Sequence, residues 1–142
     1  MANYAWFTKL HRFVYHRSGG RIGQHLGRGR LMVLMYTIGA RSGQLRAVPL
    51  QYYPVTDDGI VVIASNNGHA KHPAWYYNLK AHPEIDVLVG RERRRVCAQE
   101  VDGARRALLW PKIVAINPQA SVYSGRAARE IPVVLLRTPR PP

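Results

Sequence analysis

Apolar and polar positions along the chain fall into two periods. Residues 31–37, LMVLMYT, form a short continuous apolar run, the pattern of a strand buried on both faces. IGARSGQ then turns the chain, and RAVPLQYYPV resumes in extended form over 46–55. Asp58-Gly59 predicts a tight hairpin into IVVIAS. EIDVLVG and RRRVCAQEV read as a further hairpin around residues 90–92, and IPVVLLR as a last strand. Helical spacing occurs in three places. Residues 4–16, YAWFTKLHRFVYH, put Trp6, Leu10, Phe13 and Val14 on one side and Lys9, Arg12 and His16 toward another. Pro73 suits the first turn of a helix running to about Lys80 or Ala81. Asp102 is placed to cap a helix carrying Ala107, Leu108, Trp110, Ile113 and Val114, which Pro111 should bend or break. NPQASVYSGRAARE, residues 117–130, has no clear period, and TPRPP cannot propagate structure.

Five or six strands joined by tight turns, with helices at the start and in two insertions, predict a mainly β, α+β fold: a small antiparallel β-barrel with helices around it. Alternating β/α units are absent, which argues against a doubly wound sheet. The expected organisation is an N-terminal helix and Gly/Arg-rich connector over residues 1–30, a barrel domain over 31–137, and a disordered tail over 138–142. The 142 residues, 46% hydrophobic, suffice for one domain with its own core.

Charge adds what the pattern cannot. Lys and Arg number 21 against 8 Asp and Glu, a net charge of +13, and 17 of the cations are Arg. An anionic partner is expected: nucleic acid, an acidic membrane surface or a multiply charged small molecule, unless the surplus only reflects an Arg-rich genome. No nucleic-acid motif is present, so that option rests on net charge alone. No apolar run approaches the roughly 20 residues of a membrane span, and the N-terminus lacks the block pattern of a signal peptide. The expected location is the cytoplasm. Residues 4–16 either pack on the domain or lie on an anionic membrane face. The single cysteine, Cys97, excludes a disulfide framework or a Cys-based metal cluster.

Conventional catalytic constellations are missing. No serine sits in a Gly-x-Ser-x-Gly elbow, His69 and His72 have no acidic companion to complete a metal site, and the carboxylates are scattered. A cofactor that carries its own reactivity fits better, since the protein must then supply only binding, orientation and electrostatics. Gly39 to Gly43, with Arg41, Ser42 and then Arg46, is either an anion clasp or an ordinary solvated turn. Ser65-Asn66-Asn67-Gly68 follows a buried strand and precedes a helix, so its amides could meet a second anionic group. Trp75 and Tyr76 would then lie beside a bound ring, or simply belong to the core.

TIGARSGQLRAVPL, VVIASNNGHAKHPAWYYNLKAHPEIDVLVG, LLWPKIVAINP and REIPVVLL, in that order, resemble the deazaflavin-dependent nitroreductase family over roughly residues 31–137. The resemblance implies a split β-barrel of the FMN-binding kind and a reductase that uses coenzyme F420, a hydride-carrying deazaflavin with a phosphate and an oligoglutamate tail. It implies that Arg41, Ser42 and Arg46 contact phosphate or tail, that Ser65 and the backbone after it line the ring, and that Trp75 and Asn78 flank the site. Relatives commonly carry a basic residue in place of Ala40 and a lysine in place of Asn66, so Lys71 or Arg28 would supply the missing charge. Where relatives place several tyrosines, residues 117–124 keep only Tyr123, which is expected, with water, as a proton source. The implied partner is a small electron acceptor: a quinone, a nitro compound or an activated double bond. A homodimer and peripheral membrane contact through residues 4–16 are further expectations. The competing class is a non-catalytic module for another anionic ligand, such as a fatty acid, a flavin or haem.

Overall fold

The structure, a computed structural model, describes residues 25–26 and 30–138. The amphipathic segment 4–16, Arg28, most of the connector and the last four residues of the tail lie outside the described residues. The described residues form seven antiparallel strands: β1 (His25–Leu26), β2 (Arg30–Ile38), β3 (Leu45–Gln51), β4 (Gly59–Ile63), β5 (Glu84–Val89), β6 (Glu92–Val101) and β7 (Val133–Arg137). Strand order is β3-β2-β5-β6-β7-β4, with β1 also on β2. A lone bridge between Tyr53 and Val61 brings the chain after β3 back beside β4, which closes the sheet into a split barrel. Asp58-Gly59 turns the chain as expected, but the strands it joins share only that bridge. The full partner of β4 is β7, because a Cβ on Gly59 would overlap the Leu136 carbonyl, so only glycine permits this approach.

Alternation along the strands divides the interior in two. Val62, Val134 and Leu136 join residues from β2, β5 and β6 in a first core that also holds Trp75, Tyr76 and Leu79 of helix α1 (Ala74–Ala81). Their neighbours Val61, Ile63, Val133 and Leu135 face the other way, into a second core. That core is covered by helix α2 (Gly103–Ile116) through Leu109 and Ile113, and by helix α3 (Gln119–Ala127) through Ala120. Pro111 does not break α2. It sits on the exposed face, while Leu109 and Ile113 anchor the helix on either side of it. Helix α3 occupies a segment whose sequence shows no period, because its buried residues, Ala120 and Ala127, are small and Val122 is exposed. Asn117 starts it: its side-chain oxygen accepts the Gln119 N–H at 3.1 Å.

Candidate functional site

At the end of the barrel where β2 meets β3, the turn 39–44 stands opposite the first turns of α1. Between them lies a cleft of about 610 Å³ lined by Gly39 to Ser42, Arg46, His72, Ala74, Tyr77 and Asn78. The turn is built by its own residues. The Gly39 N–H donates to the Gln44 carbonyl, the Gly43 N–H to the Gly39 carbonyl, and the Gln44 N–H to Ser42 Oγ at 3.1 Å. A Cβ on Gly39 would strike Ser42 Oγ, so a larger residue there would turn the Ser42 hydroxyl away from the Gln44 N–H. Asn78 ties the walls together: its Oδ1 accepts the Ala40 N–H at 2.9 Å.

These bonds change which groups can grip a ligand. The amides of Gly39, Ala40, Gly43 and Gln44 are occupied, which leaves the Arg41 and Arg46 guanidinium groups as the charged donors of the turn. Arg46 is braced by Gln44 Oε1 at 3.1 Å. Neither arginine forms an ion pair among the described residues, and no Asp or Glu lines the cleft. The first turn of α1 adds the partial positive charge of a helix N-terminus at Ala74.

The loop 64–73 forms the next wall. Asn66 and Asn67 have φ of 48° and 55°, and Gly68 has φ of 81°, a left-handed turn closed by the Gly68 N–H on the Ser65 carbonyl. Arg129 holds this loop from below. Its Nε donates to the His69 carbonyl at 3.1 Å, and its Nη2 reaches the carbonyls of Ala64, Ser65 and Lys71, each at 3.2 Å. Its Nη1 lies 3.1 Å from Nδ1 of His72. The His72 ring rests on Tyr76 with centroids 4.5 Å apart and meets Tyr77 edge-on at 5.9 Å. Burial, then the Arg129 charge and a smaller push from Lys80, lower the His72 pKa, against an opposing pull from Glu100. Behind the ring, the Tyr76 hydroxyl donates to Glu100 Oε1, and burial followed by that carboxylate raises the Tyr76 pKa.

Four of the residues expected at the site, Arg41, Ser42, Arg46 and Asn78, therefore line one cleft. Ser65, Asn66 and Lys71 lie on the adjoining loop and do not line it, and the Asn66 amide is turned inward to the Lys71 carbonyl at 2.9 Å. Trp75, expected to flank a bound ring or to belong to the core, is packed in the first core and 7% exposed, and Tyr77 rather than Trp75 lines this cleft. Tyr123 packs on the second core, on the other face of β4 and β7, away from the cleft. His72 and Arg129 were not foreseen. Nothing local in the sequence signals a contact between residues 57 positions apart.

The fold is thus a split barrel whose end carries an arginine cleft without acidic lining residues. The chain belongs to the F420H2-dependent quinone reductase family, whose model matches residues 6–138, and is an F420H2-dependent oxidoreductase of the quinone and nitro reductase type. An F420H2-dependent quinone reductase of Mycobacterium tuberculosis is 34% identical over 131 residues, 90% of this chain and 87% of that protein. A solved F420-H2-dependent reductase, FDR-A, is 36% identical, spans 75% of this chain and 93% of its own, and superposes with a TM-score of 0.66. Another solved structure, described only as a domain-swapped dimer, is 33% identical, spans 92% of this chain and 98% of its own, and gives a TM-score of 0.69.

Proposed function

We propose that the cleft between the 39–44 turn and α1 holds coenzyme F420 by its phosphate and glutamate tail, with Arg41 and Arg46 as the gripping cations. The observation that carries this is the convergence of two arginines without acidic partners on one acid-free cavity. A polyanion fits such a donor set: each charge-assisted bond is short and strong, and no carboxylate opposes it. The volume, about 610 Å³, is in the ordinary range for a small-molecule site. Ser42 shapes the turn and Asn78 locks it to α1, so the guanidinium groups are held where they are needed.

When bound, the reduced coenzyme supplies the hydride. The chain's own contribution is to place a quinone, nitro compound or activated alkene against the ring and to exclude water from the contact. With Tyr123 packed on the second core, the proton comes from solvent. The assembly is proposed to be a homodimer, as in the relative described as a domain-swapped dimer, which light scattering on the purified protein would test.

The deciding experiment is titration with oxidised F420, followed by quenching of its fluorescence. Saturable binding, weakened by salt and reduced about ten- to a hundredfold by Arg41→Ala or Arg46→Ala, supports the reading. Binding that neither substitution changes would remove the cleft from the argument. Absence of binding would favour the module for a fatty acid, flavin or haem.

A further inference from the structure

A histidine in a cleft built for anions is expected to be a cation. The contacts around His72 set it up differently. Arginine has five N–H donors and no acceptor, and it keeps its proton. With Arg129 Nη1 at 3.1 Å, His72 Nδ1 can only accept, so the ring proton is confined to Nε2. Arg129 itself cannot swing away cheaply. It also donates to the carbonyls of Ala64, Ser65, His69 and Lys71, so moving it would break four bonds at once, although Ser65 and Lys71 would keep the Gly68 N–H and the Asn66 amide as donors. The ring also packs against Tyr76 at 4.5 Å and Tyr77 at 5.9 Å, and it forms part of the cleft wall facing the arginine turn.

We propose that Arg129 holds His72 as a neutral imidazole that presents its Nε2–H to an anionic oxygen of the ligand in the cleft. His72 is then a binding residue, and Arg129 a positioning residue that acts through it. This deepens the F420 reading and rests on it for the ligand's identity.

The charged and titratable groups that face the ring come from each neighbouring element: Arg129 after α3, Glu100 on β6, and Lys80, Tyr76 and Tyr77 on α1. The cations and burial oppose protonation, and Glu100 alone favours it. A neutral donor gains two things. Its hydrogen bond does not switch as pH crosses the range in which an ordinary histidine, near about 6.5, titrates. It also adds a directional bond without another positive charge beside Arg41 and Arg46.

The test reads the imidazole directly. In long-range proton–nitrogen spectra of the cofactor-free protein, His72 is expected as the Nε2-protonated tautomer throughout neutral pH, protonating only below the ordinary imidazole range. Arg129→Met, which removes charge and donor at similar length, should raise that midpoint and mix the tautomers, and Arg129→Lys should largely restore the wild-type titration. In the fluorescence titration, His72→Phe should weaken oxidised F420 about tenfold, and His72→Gln, which keeps an N–H, should bind near wild type. F420 affinity should be flat with pH in the wild type. In Arg129→Met it should tighten as pH falls, because the imidazole can then charge. A proton on Nδ1, a midpoint in the ordinary range, or unaltered binding by His72→Phe would each overturn the proposal. If the wild type bound no F420 at all, the functional reading would fail on its own, while the tautomer in the free protein would still decide the part played by Arg129.

Discussion

Gly59 and Gly125 show how differently one residue type can matter. At Gly59 the chain of β4 runs so close to β7 that a Cβ would overlap the Leu136 carbonyl, whereas nothing lies within 4 Å of a Cβ added at Gly125 in α3. Gly59→Ala should therefore push the strands apart and cost about 1–3 kcal/mol. Gly125→Ala should stabilise by about 0.5–1 kcal/mol, because helical alanine loses less backbone freedom. Urea unfolding of both variants checks the opposite signs, and equal effects would contradict this account. Trp75 gives a third test at the same scale. As a core residue beside Tyr76 and Leu79, it should cost about 3–5 kcal/mol when replaced by alanine, and a conservative Trp75→Phe should leave F420 affinity close to wild type. A large loss of affinity with unchanged stability would return Trp75 to the cleft.

Between elements, the joint at Asp58 is the one that pH reaches. The carboxylate accepts from Arg105 Nη2 on α2 at 2.9 Å and pairs with Arg137 Nη2 on β7 at 3.5 Å. The bond from Arg105, with Arg137 adding to it, holds the Asp58 pKa below the usual carboxylate range. A depressed folded-state pKa contributes stability above the unfolded value and loses it as pH falls through the folded one. Asp58→Asn should thus melt slightly below the wild type at neutral pH, with the difference vanishing in strong acid. The effect is small, because the pair is exposed and screened. Elements such as β2, β4, β7 and α1 were legible in the sequence because apolar runs end at Gly, Pro or small polar residues. Helix α3 was not, since alanine burial leaves no stripe, although Asn117-Pro118 carried the signal of a helix start. The same division holds at the site. Arg41, Ser42 and Arg46 fall within one turn and could be read together, whereas His72 and Arg129 meet only because α3 returns beneath the 64–73 loop.

Over the whole molecule, the eight carboxylates decide where the surplus charge is felt. Six of them, Asp58, Glu84, Asp86, Glu92, Glu100 and Glu130, are in ion pairs with Arg or Lys. The net charge of +13 is therefore carried by cations such as Arg41 and Arg46, which have no acidic neighbour. Such a field draws a polyanion in from a distance, while the contacts inside the cleft decide how long it stays. The sheet register separates the two roles. β2 and β5 are antiparallel, with Tyr36 beside Asp86 and Val33 beside Val89, so the exposed Arg91 after β5 lies at the end of the barrel away from the Gly39 turn. Stopped-flow binding of F420 should then show Arg91→Gln lowering the association rate by less than about threefold, with no change in dissociation. Arg41→Ala should raise the dissociation rate by more than about tenfold. Added salt should erase the Arg91 effect and leave most of the Arg41 effect, because a Debye length of about 8 Å at physiological ionic strength screens the distant charge and not the contact. An Arg91 variant that released the ligand faster would mean that the cation reaches the bound molecule, and the separation of steering from grip would fail.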